Sequence, residues 1–439
     1  MIRIGSGAGF SGDRLEPAVI LAEKGELDYL VLECLAERTI ALAQQRKNKD
    51  PNSGYDPLLE KRMDLLLPIL KEKGVRLITN MGAANPIGAA KKIIEIAQRR
   101  GIRIKVAAVT GDDVLEHLDG QQKVLETGKS LSEVPNLLSA NAYIGADALL
   151  PALESGAEII IAGRVADPSL FLAPMIYHFG WSPDDIDKIA QGTVVGHLLE
   201  CAGQVTGGYF ADPWKKEVPN LARLGFPFAD VSPDGTAVIG KVEGTGGFIN
   251  LATVKEQLLY EATDPTGYLT PDITADFTTV RLQEIGPNRV EVSGGRGRPK
   301  PATLKVSLGY HAGYIGEGEI SYAGPNAYGR AVLAGEIVQE RLKDEFPDLR
   351  IDHIGVSSVH RTHFGDFGEP YEIRLRVAAN ATDTEKAAII GEEVEALYTN
   401  GPAGGGGARK YVREVIGIVS TLIPREKVQT QISIQECSS

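Results

Sequence analysis

Three polar segments, each following a short apolar run, carry residue types that bind and transform small anions. The first is Gly5-Ser6-Gly7-Ala8-Gly9-Phe10-Ser11-Gly12. Free backbone N–H groups in such a turn, ahead of a helix, can cradle a phosphate or carboxylate. Gly7, Gly9 and Gly12 also meet the G-x-G-x-x-G spacing of a dinucleotide fingerprint, and Glu33 ends the next apolar run, where a ribose-binding carboxylate would lie. The same glycines also suit a tight turn that holds no ligand.

The second segment runs from Asn80 to Pro86. Asn80 offers an amide donor and acceptor, and Gly82 and Ala83 let a ligand approach the backbone. Asn85 reads as the N-cap of a helix opened by Pro86. In the third segment, Gly163-Arg164-Val165-Ala166-Asp167, the planar fork of Arg164 suits a carboxylate or phosphate, and Asp167 suits acid–base work. The plainer reading pairs Arg164 with Asp167, which then caps the helix beginning at Pro168.

His197 and Glu200 stand three apart and share one face of a helix. A base with its orienting partner has this form, as does half of a metal site or an ordinary core-edge pair. No further ligand at metal spacing lies nearby, so no metal is expected. Gly401 to Gly407 ahead of Arg409 and Lys410 reads as a surface loop before it reads as an anion cradle. His360, His363 and Asp366 form a weak metal signal. There is neither a G-x-S-x-G elbow nor a complete P-loop, so hydrolase and NTPase chemistry has no support.

The elements that must position these residues follow from the apolar runs. Runs at 2–4, 29–32, 75–79, 104–109 and 158–162 alternate with helical patterns at 15–23, 57–73, 87–99 and 145–154. Such alternation predicts βαβ units, with the three polar segments at strand C-terminal ends, where ligands of doubly wound sheets collect. The fold class expected is α/β: a doubly wound, mostly parallel, Rossmann-like domain over 1–265. The second half changes character. A hairpin signal at Gly286-Pro287-Asn288 precedes strands at 304–310 or 319–322, a helix at 327–343, strands at 354–359 and 371–377, a helix at 384–398 and a strand at 412–422. That order is β-α-β-β-α-β and predicts an α+β, ferredoxin-like domain over 266–439. The division is expected at the break around Asp264-Pro265-Thr266-Gly267 and Thr270-Pro271.

Composition sets the outer limits. A chain of 439 residues exceeds one comfortable core, and 43% hydrophobic with 24% charged residues is ordinary for a globular protein. A net charge of −12 repels polyanions, which excludes nucleic acid as the main partner. Cys34, Cys201 and Cys437 have neither metal nor disulfide spacing. No apolar stretch is long enough for a bilayer, and Met1 to Gly5 reads as a strand entry rather than a signal peptide. A soluble, cytoplasmic protein without membrane contact is expected.

Several segments together resemble the acyclic terpene utilisation AtuA family. They are Ile4 to Asp13, Thr79 to Pro86, Ala140 to Ala146, Ile161 to Ser169 and His197 to Gln204. The resemblance implies a context of terpene degradation through acyl-CoA intermediates and carries over no catalytic residue. The function expected is a catabolic enzyme acting on a small carboxylate or acyl-CoA by hydration, dehydration or isomerisation. Asp167, Glu200 and His197 would be catalytic, and Gly7, Gly9, Phe10, Ser11, Glu33, Asn80, Gly82, Ala83 and Arg164 would bind substrate, with Arg164 as its anchor. No cofactor is demanded, although a CoA thioester or NAD(P) fits the cradle, and the partners expected are a small anionic metabolite and further copies of the chain. A dinucleotide-dependent oxidoreductase and a non-catalytic, metabolite- or partner-binding subunit remain as alternatives.

Overall fold

The apolar runs of the first half lack alternation because they are strands covered on both faces. In this computed structural model, which describes residues 1–360 and 368–437, the chain opens with β1 (Ile2–Ala8), α1 (Glu16–Lys24), β2 (Tyr29–Leu32), α2 (Glu37–Lys49), α3 (Leu59–Lys73) and β3 (Arg76–Thr79). It continues with α4 (Pro86–Arg99), β4 (Lys105–Thr110), β5 (Leu137–Ala142), α5 (Leu150–Glu154), β6 (Ile159–Ala162), α6 (Asp167–Phe179) and α7 (Ile186–Glu200). Every residue of β2 and β6 is buried. Strands β1, β2, β3, β6 and β4 lie side by side in that order and run parallel.

Antiparallel strands extend this sheet on both sides. β7 (Pro227–Val231) pairs with β1 and with β8 (Ala237–Lys241). After α8 (Leu251–Leu259) come β9 (Tyr268–Leu269), β10 (Thr274–Asp276), β11 (Arg281–Gly286), β12 (Arg289–Ser293) and β13 (Arg296–Arg298). The β11–β12 hairpin joins β8, while β13, β10 and β9 make a separate small sheet. The expected mostly parallel sheet is therefore a mixed one of ten strands, five of them antiparallel additions. β1 has an antiparallel neighbour, unlike the first strand of the dinucleotide-binding order. Helices α1, α3 and α4 cover one face through Leu21, Leu66 and Ile93, and α5 to α8 cover the other through Leu153, Phe171, Val195 and Val254.

Two units divide the chain: Met1–Gly309 with Ile418–Ser439, and Tyr310–Gly417. The division expected at 265/266 is thus displaced, and the second unit is an insertion within the first. The Pro- and Gly-containing break at 264–271 leads only into the small sheet β9–β10. Long strands β14 (Thr303–Ala323) and β17 (Gly406–Pro424) run through both boundaries, so no turn residues mark them. The last strand of the first unit, β18 (Gln431–Glu436), completes the large sheet against β4.

The second unit places α9 (Ala327–Leu342), β15 (Arg350–Ile354), β16 (Glu372–Ala381) and α10 (Thr384–Asn400) between β14 and β17. Strand order is β15-β16-β14-β17, and the helices bury Ala334, Val338, Ile390 and Val394 against Ile320, Leu375 and Val377. The strand expected at 354–359 lies at Arg350–Ile354, and the one expected at 304–310 or 319–322 spans both positions as β14. Among the described residues no helix is long and apolar enough to cross a membrane.

Candidate functional site

Side chains from the ends of β2, β3 and β6 meet beside the end of α7. Glu33 follows β2 and is 6% exposed. Its carboxylate accepts the Leu35 N–H at 2.8 Å and the Asn80 amide at 2.9 Å, while the Asn80 oxygen accepts the Cys34 N–H at 2.7 Å. Asn80 therefore ties the ends of β2 and β3 together and aims Glu33. Burial, reinforced by the charge of Asp167 and opposed by Arg164, raises the Glu33 carboxyl to about 8.

Arg164 follows β6 and is 1% exposed. It donates to the carbonyls of Leu35 and Val165 and to the Asp167 carboxylate, and its guanidinium lies 4.5 Å over the Tyr143 ring. Its backbone N–H donates at 2.9 Å to Asp112, which also accepts the Asn141 amide. Gly163 is required there, because a Cβ would stand 2.5 Å from the Asp112 carboxylate. With most of its donors committed inside the protein, Arg164 braces Asp167 and the β2 loop. Tyr143 donates at 2.5 Å to Glu37, and Lys305 lies 3.2 Å from the same oxygen. Burial pushes Glu37 up, but the Tyr143 hydroxyl, its own backbone and the cations Lys305 and Arg164 outweigh this and hold it at about 2.

His197 and Glu200 close the last turn of α7. Nδ1 of His197 and Oε1 of Glu200 are 2.7 Å apart, with His197 wholly buried and Glu200 7% exposed. The His197 ring stacks on Phe277 at 4.9 Å and tilts against Tyr268 at 5.1 Å. Two glycines bring this turn to the strand ends. A Cβ on Gly196 would lie 2.5 Å from the Pro168 carbonyl at the start of α6, and one on Gly9 would lie 2.6 Å from the Cys201 carbonyl carbon. Desolvation raises Glu200 to about 7 against the opposing His197, with Asp167 and Glu261 adding to the rise. Burial pushes His197 down, but the Glu200 charge and hydrogen bond win and lift it. Asp167, half-buried at the first position of α6, is also raised by desolvation, which Arg164 opposes and Glu37 reinforces. Asp167 thus adds its charge to both Glu33 and Glu200, while the buried Arg164 cation opposes the rise at Glu33 and Asp167.

Several expected binding residues have other work. Gly7 sits at a bulge inside β1, where a Cβ would meet Leu32 at 2.6 Å, so it is a packing glycine and the dinucleotide fingerprint has no loop to occupy. The Phe10 ring is 59% exposed and covers Gly12, and the Ser11 hydroxyl donates to Asp56 at 2.7 Å. Arg62 of α3 holds this loop through the Ser11 carbonyl at 3.0 Å and the Cys34 sulfur at 2.8 Å. Gly82 allows the turn after β3 to pass the Ala162 carbonyl, where a Cβ would lie 2.5 Å away, and Ala83 is buried at φ 46°. Asn85 caps α4 by accepting the Gly88 N–H at 3.0 Å. In the second unit Arg330 holds the Ala403 carbonyl at 2.8 Å and Lys410 pairs with Glu395 at 2.6 Å, which makes 401–407 a tethered turn. His363 and Asp366 lie outside the described residues. Among the described residues no group of three His, Cys, Asp or Glu side chains could hold a metal ion.

The segments that converge here, from β1 through the end of α7, fall within one family model, described as acyclic terpene utilisation family protein AtuA, which matches residues 2–434. The chain belongs to the AtuA family. No curated protein matches it. For this AtuA-family chain, sequence reading missed Asp112, Tyr143, Glu37 and Tyr268. Tyr143 and Asp112 could have been found, since each closely follows an apolar run. Tyr268 comes from the small sheet, far along the chain, and carries no such signal.

Proposed function

We propose that this chain is an enzyme of acyclic terpene catabolism that moves a proton on a small carboxylate or an acyl-CoA thioester, in hydration, dehydration or isomerisation. The observation that carries this reading is the buried His197–Glu200 pair at 2.7 Å, with Glu200 raised to about 7 by burial and by the charge of Asp167, which also acts on Glu33. A group titrating near the working pH is the most effective acid or base. Glu200 takes the substrate proton, and His197 fixes the carboxylate and carries part of the charge. Glu33, neutral at pH 7 because it titrates at about 8, donates a hydrogen bond to the oxyanion that develops. Asp167, protonated at the start and held in place by Arg164, gives its own proton on the other side, and exchange with solvent then removes the proton from Glu200 and restores that of Asp167. The β-α-β-β-α-β order and the strand order of the second unit support a ferredoxin-like layer, a module suited to pairing copies of the chain.

The test is proton exchange in D2O with a panel of branched acyl-CoAs and their free acids, followed by mass spectrometry. The wild-type chain should label at least one of them next to the carbonyl or double bond. Glu200→Gln should abolish labelling and keep binding. Labelling that survives in both Glu200→Gln and Glu33→Gln overturns the assignment.

A further inference from the structure

A cleft of about 950 Å³ lies between the loop 209–217 and α8, outside the strand-end cluster. That volume matches a drug-sized or larger ligand. We infer that this cleft binds the nucleotide end of a thioester substrate, an aromatic base bearing phosphates, with the acyl end directed to Glu200. The inference rests on the proton-transfer reading above and specifies where its substrate is held.

Aromatic surface is the first argument. The Tyr209 ring is 82% exposed and meets Tyr260 edge-on at 6.0 Å, and Trp214 on the same loop is 93% exposed. Rings held this far into solvent offer faces on which a base can stack. The loop holds them there at some conformational cost. Tyr209 has φ 62° and Trp214 φ 67°, a left-handed region that bulky residues seldom adopt.

Charge is the second. Lys216 is committed to Glu256 at 2.5 Å and lies over the Phe210 ring at 4.7 Å. Lys215 reaches only Asp212, at 3.7 Å, with both side chains well exposed, and Lys255 forms no ion pair among the described residues. Lys255 therefore stands on the cleft without an ion pair and Lys215 with only a long, exposed one. These two ammonium groups, with Glu217 as the carboxylate beside them in the lining, are the groups that would meet phosphate. The third argument is continuity. α8, which walls the cleft, packs on the end of α7 that carries Glu200, since the Gln257 amide donates to the His197 carbonyl at 3.1 Å. Glu261 at the edge of the cleft adds its charge to those acting on Glu200 and Asp167.

Only two tryptophans are present, and Trp181 is 5% exposed, so emission quenching reports mainly on Trp214. The probe is CoA without an acyl group, titrated against the full chain, with calorimetry on the same samples as a second readout. CoA should bind and quench. Lys215→Gln with Lys255→Gln should weaken binding about tenfold or more and reduce its dependence on salt. Tyr209→Ala should weaken binding, whereas Glu200→Gln should leave the CoA Kd unchanged. A CoA Kd unaltered by the double lysine variant overturns the inference, as does calorimetry showing no CoA binding at all. Should CoA fail to bind while free acids still exchange protons, the cleft assignment falls alone. Should CoA bind as described while nothing exchanges protons, the cleft stands and the catalytic reading falls.

Discussion

Oε1 of Glu200 lies 2.7 Å from Nδ1 of His197, while Oε2 of the same carboxylate is buried without a hydrogen-bond partner among the described residues. His197 Nε2 faces the backbone of Gln257 and Leu258 without closing a hydrogen bond. An unmet buried acceptor of this kind lowers stability by about 1–3 kcal/mol. A substrate proton donor would satisfy it. Glu200→Gln is therefore expected to lower turnover by about 10²-fold or more with little loss of melting temperature. The wild-type pH–rate profile should bend near pH 7, where Glu200 titrates, and that bend should vanish in the variant.

Glu33 links the site to pH-dependent stability. Its carboxyl rises from an ordinary 4.5 to about 8 in the folded chain, so between those values the folded state binds more protons than the unfolded one. The stability it contributes is full below about 4.5 and is lost as pH rises through about 8. Wild-type melting temperature should fall across pH 5 to 8 more steeply than that of Glu33→Gln. Parallel curves for the two proteins would remove Glu33 from the titrating set.

Arg164 separates bracing from anchoring. As a brace, its loss leaves Asp167 without its cation and the Leu35 carbonyl without its donor. Arg164→Met should destabilise the ligand-free chain by about 3–5 kcal/mol in denaturant titration. An anchor waiting for substrate would leave ligand-free stability nearly unchanged.

Gly196 is a spacing device. Adding one methyl group places a carbon 2.5 Å from the Pro168 carbonyl, which must push α7 from the start of α6. Gly196→Ala should cost about 1–3 kcal/mol by thermal melting. Activity should fall further than stability explains, because Glu200 and Asp167 would separate.

The sequence by itself determined the parallel layer and the strand-end positions of Glu33, Asn80, Arg164 and Asp167. Uninterrupted apolar runs such as Ile159-Ile160-Ile161-Ala162 are stable as short strands only when both faces are covered, and polar residues after them must fall at strand ends. It also determined the Asn85 cap and the i,i+3 contact of His197 with Glu200, both local geometries. Tertiary structure alone decided that α7 ends beside β1 and α6, because that depends on the missing side chains of Gly9 and Gly196 meeting particular backbone atoms. Whether Arg164 faces a ligand or the protein was likewise undecidable from spacing, since the Leu35 carbonyl and Tyr143 ring that occupy it come from distant segments. Proton affinities followed the same rule. Glu33 and Glu37 stand four residues apart yet titrate at about 8 and about 2, because burial governs the first while a tyrosine hydroxyl and two cations govern the second.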